Sequence, residues 1–123
     1  MSVAIAIPGL RTVCELNSHE HWRNRQKRAK AQRNHVAIVL RRTVTGQMML
    51  VAPLAVTLTR VAPSSGLDPG DNLPSSQKHV RDAVAELLGV DDRDPRVIWL
   101  YDQRRGPWAV EVKIEPKEQH HAE

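Results

Sequence analysis

The sequence predicts an α+β domain of two layers, with helices packed on one face of a small mixed β-sheet. Three observations predict it. Strand-like and helix-like segments follow one another in the order strand, helix, strand, helix, strand, strand, which favours a sheet covered on one side. The final strands alternate apolar and polar residues, so that sheet has one buried and one wetted face. The chain is 123 residues long, enough for one hydrophobic core and short for two.

Ser2 to Ile7 has the β-branched character of a short strand, and Pro8 and Gly9 break it. A long helix is expected from Asn17 to about Arg41. Asn17 can cap it, with Glu20 three residues on, and the Arg, Lys, Gln and Ala beyond favour helix. Trp22, Ala29, Val36 and Leu40 recur near helical spacing as its apolar face. His35 to Arg42 has a strand as its alternative, because Val36, Ile38 and Val39 are β-branched.

Leu54, Val56 and Leu58 alternate with Ala55, Thr57 and Thr59 as in a half-buried strand, which Pro63 to Gly66 ends. Pro74 to Leu88 reads as a helix, with Val80, Ala83, Val84, Leu87 and Leu88 as one apolar stripe and Gly89 as its stop. Val97 to Tyr101 and Ala109 to Ile114 read as strands joined by a polar turn from Asp102 to Pro107. In the second of them Val110, Val112 and Ile114 face away from Glu111, Lys113 and Glu115. The tail 116–123 lacks core-forming residues and is expected to fray; His120 and His121 read as tail residues before they read as metal ligands.

Charge is distributed unevenly along this chain. From His21 to Leu67 there is no acidic residue, while Arg23, Arg25, Lys27, Arg28, Lys30 and Arg33 crowd one helix. Such a surface suits a polyanion, since Lys and Arg displace counterions condensed on phosphates; a solvated helix face is the plainer explanation. With no Phe, and with Trp22, Trp99, Trp108 and Tyr101 as the aromatic set, a binder that stacks many unpaired bases is disfavoured. A lone Cys14 forms no internal disulfide, so a reducing, cytoplasmic setting is expected, with Cys14 as a small half-buried side chain. The apolar start is too short for a signal sequence or a membrane span, and no membrane association is expected.

The chemistry concentrates between Asp68 and Asp92. Asp68-Pro69-Gly70-Asp71 is a type II turn sequence, which brings its end Cα atoms within about 7 Å. Two carboxylates that close repel unless a cation lies between them, and Mg²⁺ suits such hard oxygen ligands. Asp91 and Asp92, past the Gly89 stop, can return to the same region. Lys78 and Asp82, four residues apart, lie about 40° from each other on the helix and can pair. Lys78 is also a candidate to stabilise charge on a scissile phosphate. The competing explanations are a surface ion pair for Lys78 and turn or capping roles for the aspartates.

Asp71-Asn72-Leu73, Lys78, Asp82-Ala83, Gly89 and Asp91-Asp92 followed by a strand, together with Leu16-Asn17, Trp22 and a basic helix, resemble the RusA family of Holliday-junction resolvases, often carried by phages and prophages. The likeness covers most of the chain, and its specific elements are the Asp-Asn, Lys and Asp-Asp positions. It implies a nuclease domain over residues 1–115 and a Mg²⁺-dependent endonuclease, with Mn²⁺ as an alternative ion, acting as a homodimer on branched DNA. Carried across, Asp71 and Asp92 are the firmest metal ligands, Asp68 and Asp91 the next, and Lys78 the catalytic cation. Two spacings depart from the pattern. Pro69 and Gly70 put two residues between the first aspartates where the family commonly has one, and Pro74 to Gln77 lengthen the interval to Lys78. A non-catalytic DNA-binding protein of the same fold is the second expectation.

Overall fold

The computed structural model describes residues 3–12, 22–44, 53–63, 66–67, 69–70 and 72–117. Its elements are β1 (Val3–Pro8), α1 (Trp22–Val44), β2 (Leu54–Ala62), α2 (Asn72–Ser76), α3 (Lys78–Leu88), β3 (Val97–Arg105) and β4 (Ala109–Pro116). The strands form one mixed sheet in the order β1-β4-β2-β3. β4 pairs antiparallel with β1 and β2, while β2 and β3 are parallel. A parallel pair needs a long crossover, and α2 and α3 occupy it.

Register lines up the core in rows across the sheet. Val3, Ile114, Val56 and Trp99 form one row, Ile5, Val112, Leu58 and Tyr101 the next, and Ile7, Val110, Arg60 and Gln103 a third. The first two rows are apolar from β1 to β2 and turn aromatic at the β3 edge. Val36 and Leu40 of α1 and Val80, Ala83 and Val84 of α3 close over them, so both helices cover the same sheet face. The opposite face carries Ala4, Ala6, Thr57, Thr59, Asp102, Glu111 and Lys113, all exposed or half-buried. The domain is therefore α+β in two layers, as its alternation of elements predicts.

Several boundaries differ from the sequence expectation. α1 is helical through Val44, which removes the strand alternative for His35 to Arg42. Val36 and Leu40 sit four residues apart on one face and are fully buried, so packing on α3 and the sheet outweighs β-branched preference. Trp22, placed on the apolar face by its spacing, is instead 51% exposed. The expected start at Asn17 lies outside the described residues. β2 is buried on both faces at Ala55 and Val61, because it is an interior strand between β4 and β3.

The single helix expected over Pro74–Leu88 is two helices. At Gln77 the backbone turns to φ −100°, ψ 6°, and the Ser76 hydroxyl donates to the Leu73 carbonyl at 2.7 Å, competing with helical pairing. The Gly89 stop holds: at φ 70° it takes the left-handed cap, with its N–H on Glu86 O and that of Val90 on Ala85 O. β3 continues to Arg105, because pairing with β2 through Ala62 reaches past Asp102; an edge strand tolerates the charged side chains there. The expected turn over 102–107 shrinks accordingly. β4 includes Pro116, and Lys117 N–H donates to Pro53 O at 3.0 Å, so the tail expected from Pro116 begins later; residues 118–123 lie outside the described ones.

Candidate nucleic-acid interface and acidic site

The basic residues of α1 divide by helical angle. Gln32, Val36 and Leu40 are buried against the core. At 100° per residue, Arg23, Lys27, Lys30 and Arg41 then fall together on the opposite, exposed face. Arg33 is exposed in a groove with Asn34, Ala37, Ile38, Arg41 and the α3 residue Glu86. Arg28 is half-buried, and Arg25 is exposed toward the start of α3. The structure thus places Arg23, Lys27 and Lys30 on an outward stripe and Arg25 and Arg33 along the seam with α3.

Lys78 stands on the exposed crest of α3, between two flanks of different chemistry. His79 on one flank lines a cavity of about 330 Å³ with Lys78 and the α1 residues Trp22, Arg25, Gln26 and Ala29. Arg81 on the other flank faces β3. Lys78 and Asp82 form no ion pair among the described residues, so the pairing that their spacing permits is not made.

Arg81 organises the β3 side. Its guanidinium donates to Tyr101 Oη at 2.8 Å and to the Asp92 carbonyl at 2.6 Å, and it lies 4.8 Å from the centre of the Trp99 ring. Trp99 Nε1 donates to the same Asp92 carbonyl at 3.1 Å. The backbone of Asp92 is therefore anchored from a helix and a strand. Its carboxylate stands 3.8 Å from Arg81 Nε, too far for a hydrogen bond, with its side chain 42% exposed. Arg81, three residues on from Lys78, thus fixes the backbone of Asp92 against α3.

Asp91 and Asp94 are committed locally. Asp91 Oδ1 accepts the Arg93 N–H at 2.8 Å, which holds its carboxyl below the usual range, with further help from the neighbouring Asp92. Asp94 accepts the Arg96 guanidinium and its N–H, and its pKa falls to about 2. Both aspartates accept an N–H from two residues ahead, as turn-forming aspartates do; for Asp91 this is one of the competing explanations given above. Asp68 and Asp71 lie outside the described residues. Ahead of them, the Gln103 amide grips the Leu67 backbone at both ends, accepting its N–H at 2.8 Å and donating to its carbonyl at 2.7 Å. Among the described residues, no three His, Cys, Asp or Glu side chains converge as a metal site.

Arg81, Gln103, Trp99 and Tyr101 were not legible as site residues. Arg81 borders the apolar stripe of α3, next to Leu88 in angle, and Trp99, Tyr101 and Gln103 share the period-two face of β3. That coincidence was the available signal.

No family model matches this chain. It is 30% identical over 79 residues to an uncharacterized protein of Xylella fastidiosa (strain Temecula1), a match covering 63% of this chain and 52% of that protein. The matched part is thus about half the relative's length. No described helix is long and apolar enough to cross a membrane.

Proposed function

We propose that this chain is a Mg²⁺-dependent endodeoxyribonuclease that resolves four-way or related branched DNA, working as a homodimer. What supports the reading is Lys78, exposed on α3 with the cationic α1 on one flank and, on the other, Arg81, which anchors Asp92. The outward stripe of Arg23, Lys27 and Lys30 would bind duplex arms through phosphates, fixing position with little base readout. A two-fold dimer would match the two-fold junction.

Asp92 suits an ion ligand, because its carboxylate accepts no hydrogen bond from Arg81 and its backbone is fixed. Asp91 suits one less, with one oxygen held by Arg93. Asp68 and Asp71 would complete the set with Asp92. A bound divalent ion would supply Lewis-acid stabilisation of phosphoryl charge and lower the pKa of water. Arg81 positions the backbone of Asp92. Lys78 would neutralise the negative charge that develops as the phosphodiester bond breaks.

The second reading is a DNA-binding protein of the same fold without catalysis, and the turn-forming use of Asp91 and Asp94 favours it. A labelled four-way junction, incubated with Mg²⁺ or EDTA beside Asp71→Asn and Lys78→Ala, separates the two. Paired nicks that require metal and vanish in both variants support the nuclease; tight junction binding without cleavage in several divalent metals supports the second reading.

A further inference from the structure

Two elements far apart in sequence line an open groove between α1 and α3, and the charged side chains on its wall have one sign. Arg25 comes from α1 and Lys78 from α3, with His79 beside them and Trp22, Gln26 and Ala29 as the remaining wall. Neither Arg25 nor Lys78 makes an ion pair or hydrogen bond among the described residues. Two cations that line one groove gain by sharing an anion. The start of α3 adds to this: its first turn has no acidic residue, and Gln77 provides no side-chain cap. Those first N–H groups favour an anion as well. Gln77 itself is fully buried, and neither end of its amide has a hydrogen-bond partner among the described residues.

We propose that this groove is a phosphate site in which Arg25 and Lys78 jointly hold a single phosphate group. The guanidinium fork matches two phosphate oxygens, and the ammonium acts as a point charge on a third. At about 330 Å³ the space also admits part of an attached sugar, with the Trp22 ring as an apolar wall. The phosphate comes either from a DNA backbone, which rests on the nuclease reading, or from a free mononucleotide, which does not. The site predicts a coupling between α1 and α3 that a merely basic surface lacks.

The test is a double-mutant cycle on binding of duplex and four-way-junction DNA, using Arg25→Ala, Lys78→Ala and both together, with Arg25→Ala plus Lys27→Ala as the comparison. Thermal melts check folding, which exposed positions should leave intact. Each single change should weaken DNA binding about 5- to 10-fold and reduce the slope of log K against log salt by about 0.9. The Arg25–Lys78 double should be within about 3-fold of the weaker single, while the Arg25 and Lys27 effects multiply. Multiplication in the first pair overturns the shared phosphate and leaves the nuclease reading untouched. If the wild type binds no DNA, the nuclease reading fails; the phosphate site then stands if inorganic phosphate or a 5′-mononucleotide shifts the amide resonances of residues 78–80 in the wild type and not in Arg25→Ala. Absence of that response as well overturns it.

Discussion

Replacing Arg81 by Met retains most of the stem and removes the guanidinium, which isolates its role as the clamp between α3, Asp92 and β3. The loss comprises one hydrogen bond to Tyr101 Oη at 2.8 Å, one to the Asp92 carbonyl at 2.6 Å, and the contact with Trp99 at 4.8 Å. Hydrogen bonds from a charged donor contribute about 1.5–3 kcal/mol each, and a partly exposed cation–π contact about 0.5–1. Two features reduce the sum: the Arg81 side chain is 28% exposed, and Trp99 Nε1 still satisfies the Asp92 carbonyl. We expect about 2–3 kcal/mol of destabilisation, read as a lower urea midpoint with unchanged slope in tryptophan fluorescence, and a melting temperature lower by roughly 8–12 °C. Arg81→Lys should fall between, because one ammonium cannot span Tyr101 and Asp92 as a planar fork does. A loss below about 0.5 kcal/mol for Arg81→Met would refute the clamp.

Lys78→Ala, at an exposed position without an ion pair among the described residues, should alter stability by less than about 0.5 kcal/mol yet, on the proposed nuclease reading, reduce junction cleavage at least 100-fold, checked by urea titration beside single-turnover cleavage. Gln103→Ala should cost about 1 kcal/mol by releasing Leu67, and cleavage measured well below the melting point should fall by more than that loss explains. Leu58→Ala, at a fully buried site in the sheet centre, should cost about 3–4 kcal/mol in the same titration. Asp94→Asn tests the turn ahead of β3. Its carboxyl, with a folded pKa near 2 against 3.8, contributes stability that is complete above about pH 4 and lost as pH falls through 2. The gap in melting temperature between wild type and variant should therefore be open at pH 6 and close between pH 4 and pH 2.

Local patterns made much of the fold readable. The Gly89 stop, the Val80-to-Leu88 stripe and the alternation of Val110, Val112 and Ile114 depend on interactions a few residues long, and the structure retains all three. The break at Gln77 was harder to read, since a serine hydroxyl and a proline act there within an otherwise helical run. The length of β3 was harder still, because its last polar residues are ordered by pairing with β2, some 40 positions away. In the candidate site, the six basic residues were legible as a group, and the placing of Arg23, Lys27 and Lys30 on an outward stripe and of Arg25 and Arg33 along the α3 seam was not.

The sequence by itself determined the class of the fold and the cationic character of α1. Its charges and periodicities are properties of single segments, and they survive whatever the segments pack against. Only the tertiary structure decided what comes together: Arg25 and Lys78 on the wall of one groove between α1 and α3, and Arg81 between Asp92, Trp99 and Tyr101. Those meetings follow from the sheet order β1-β4-β2-β3 and from the side of α3 that faces β3. Neither is encoded in any one stretch of chain, because long-range pairing depends on how several apolar faces are buried at once.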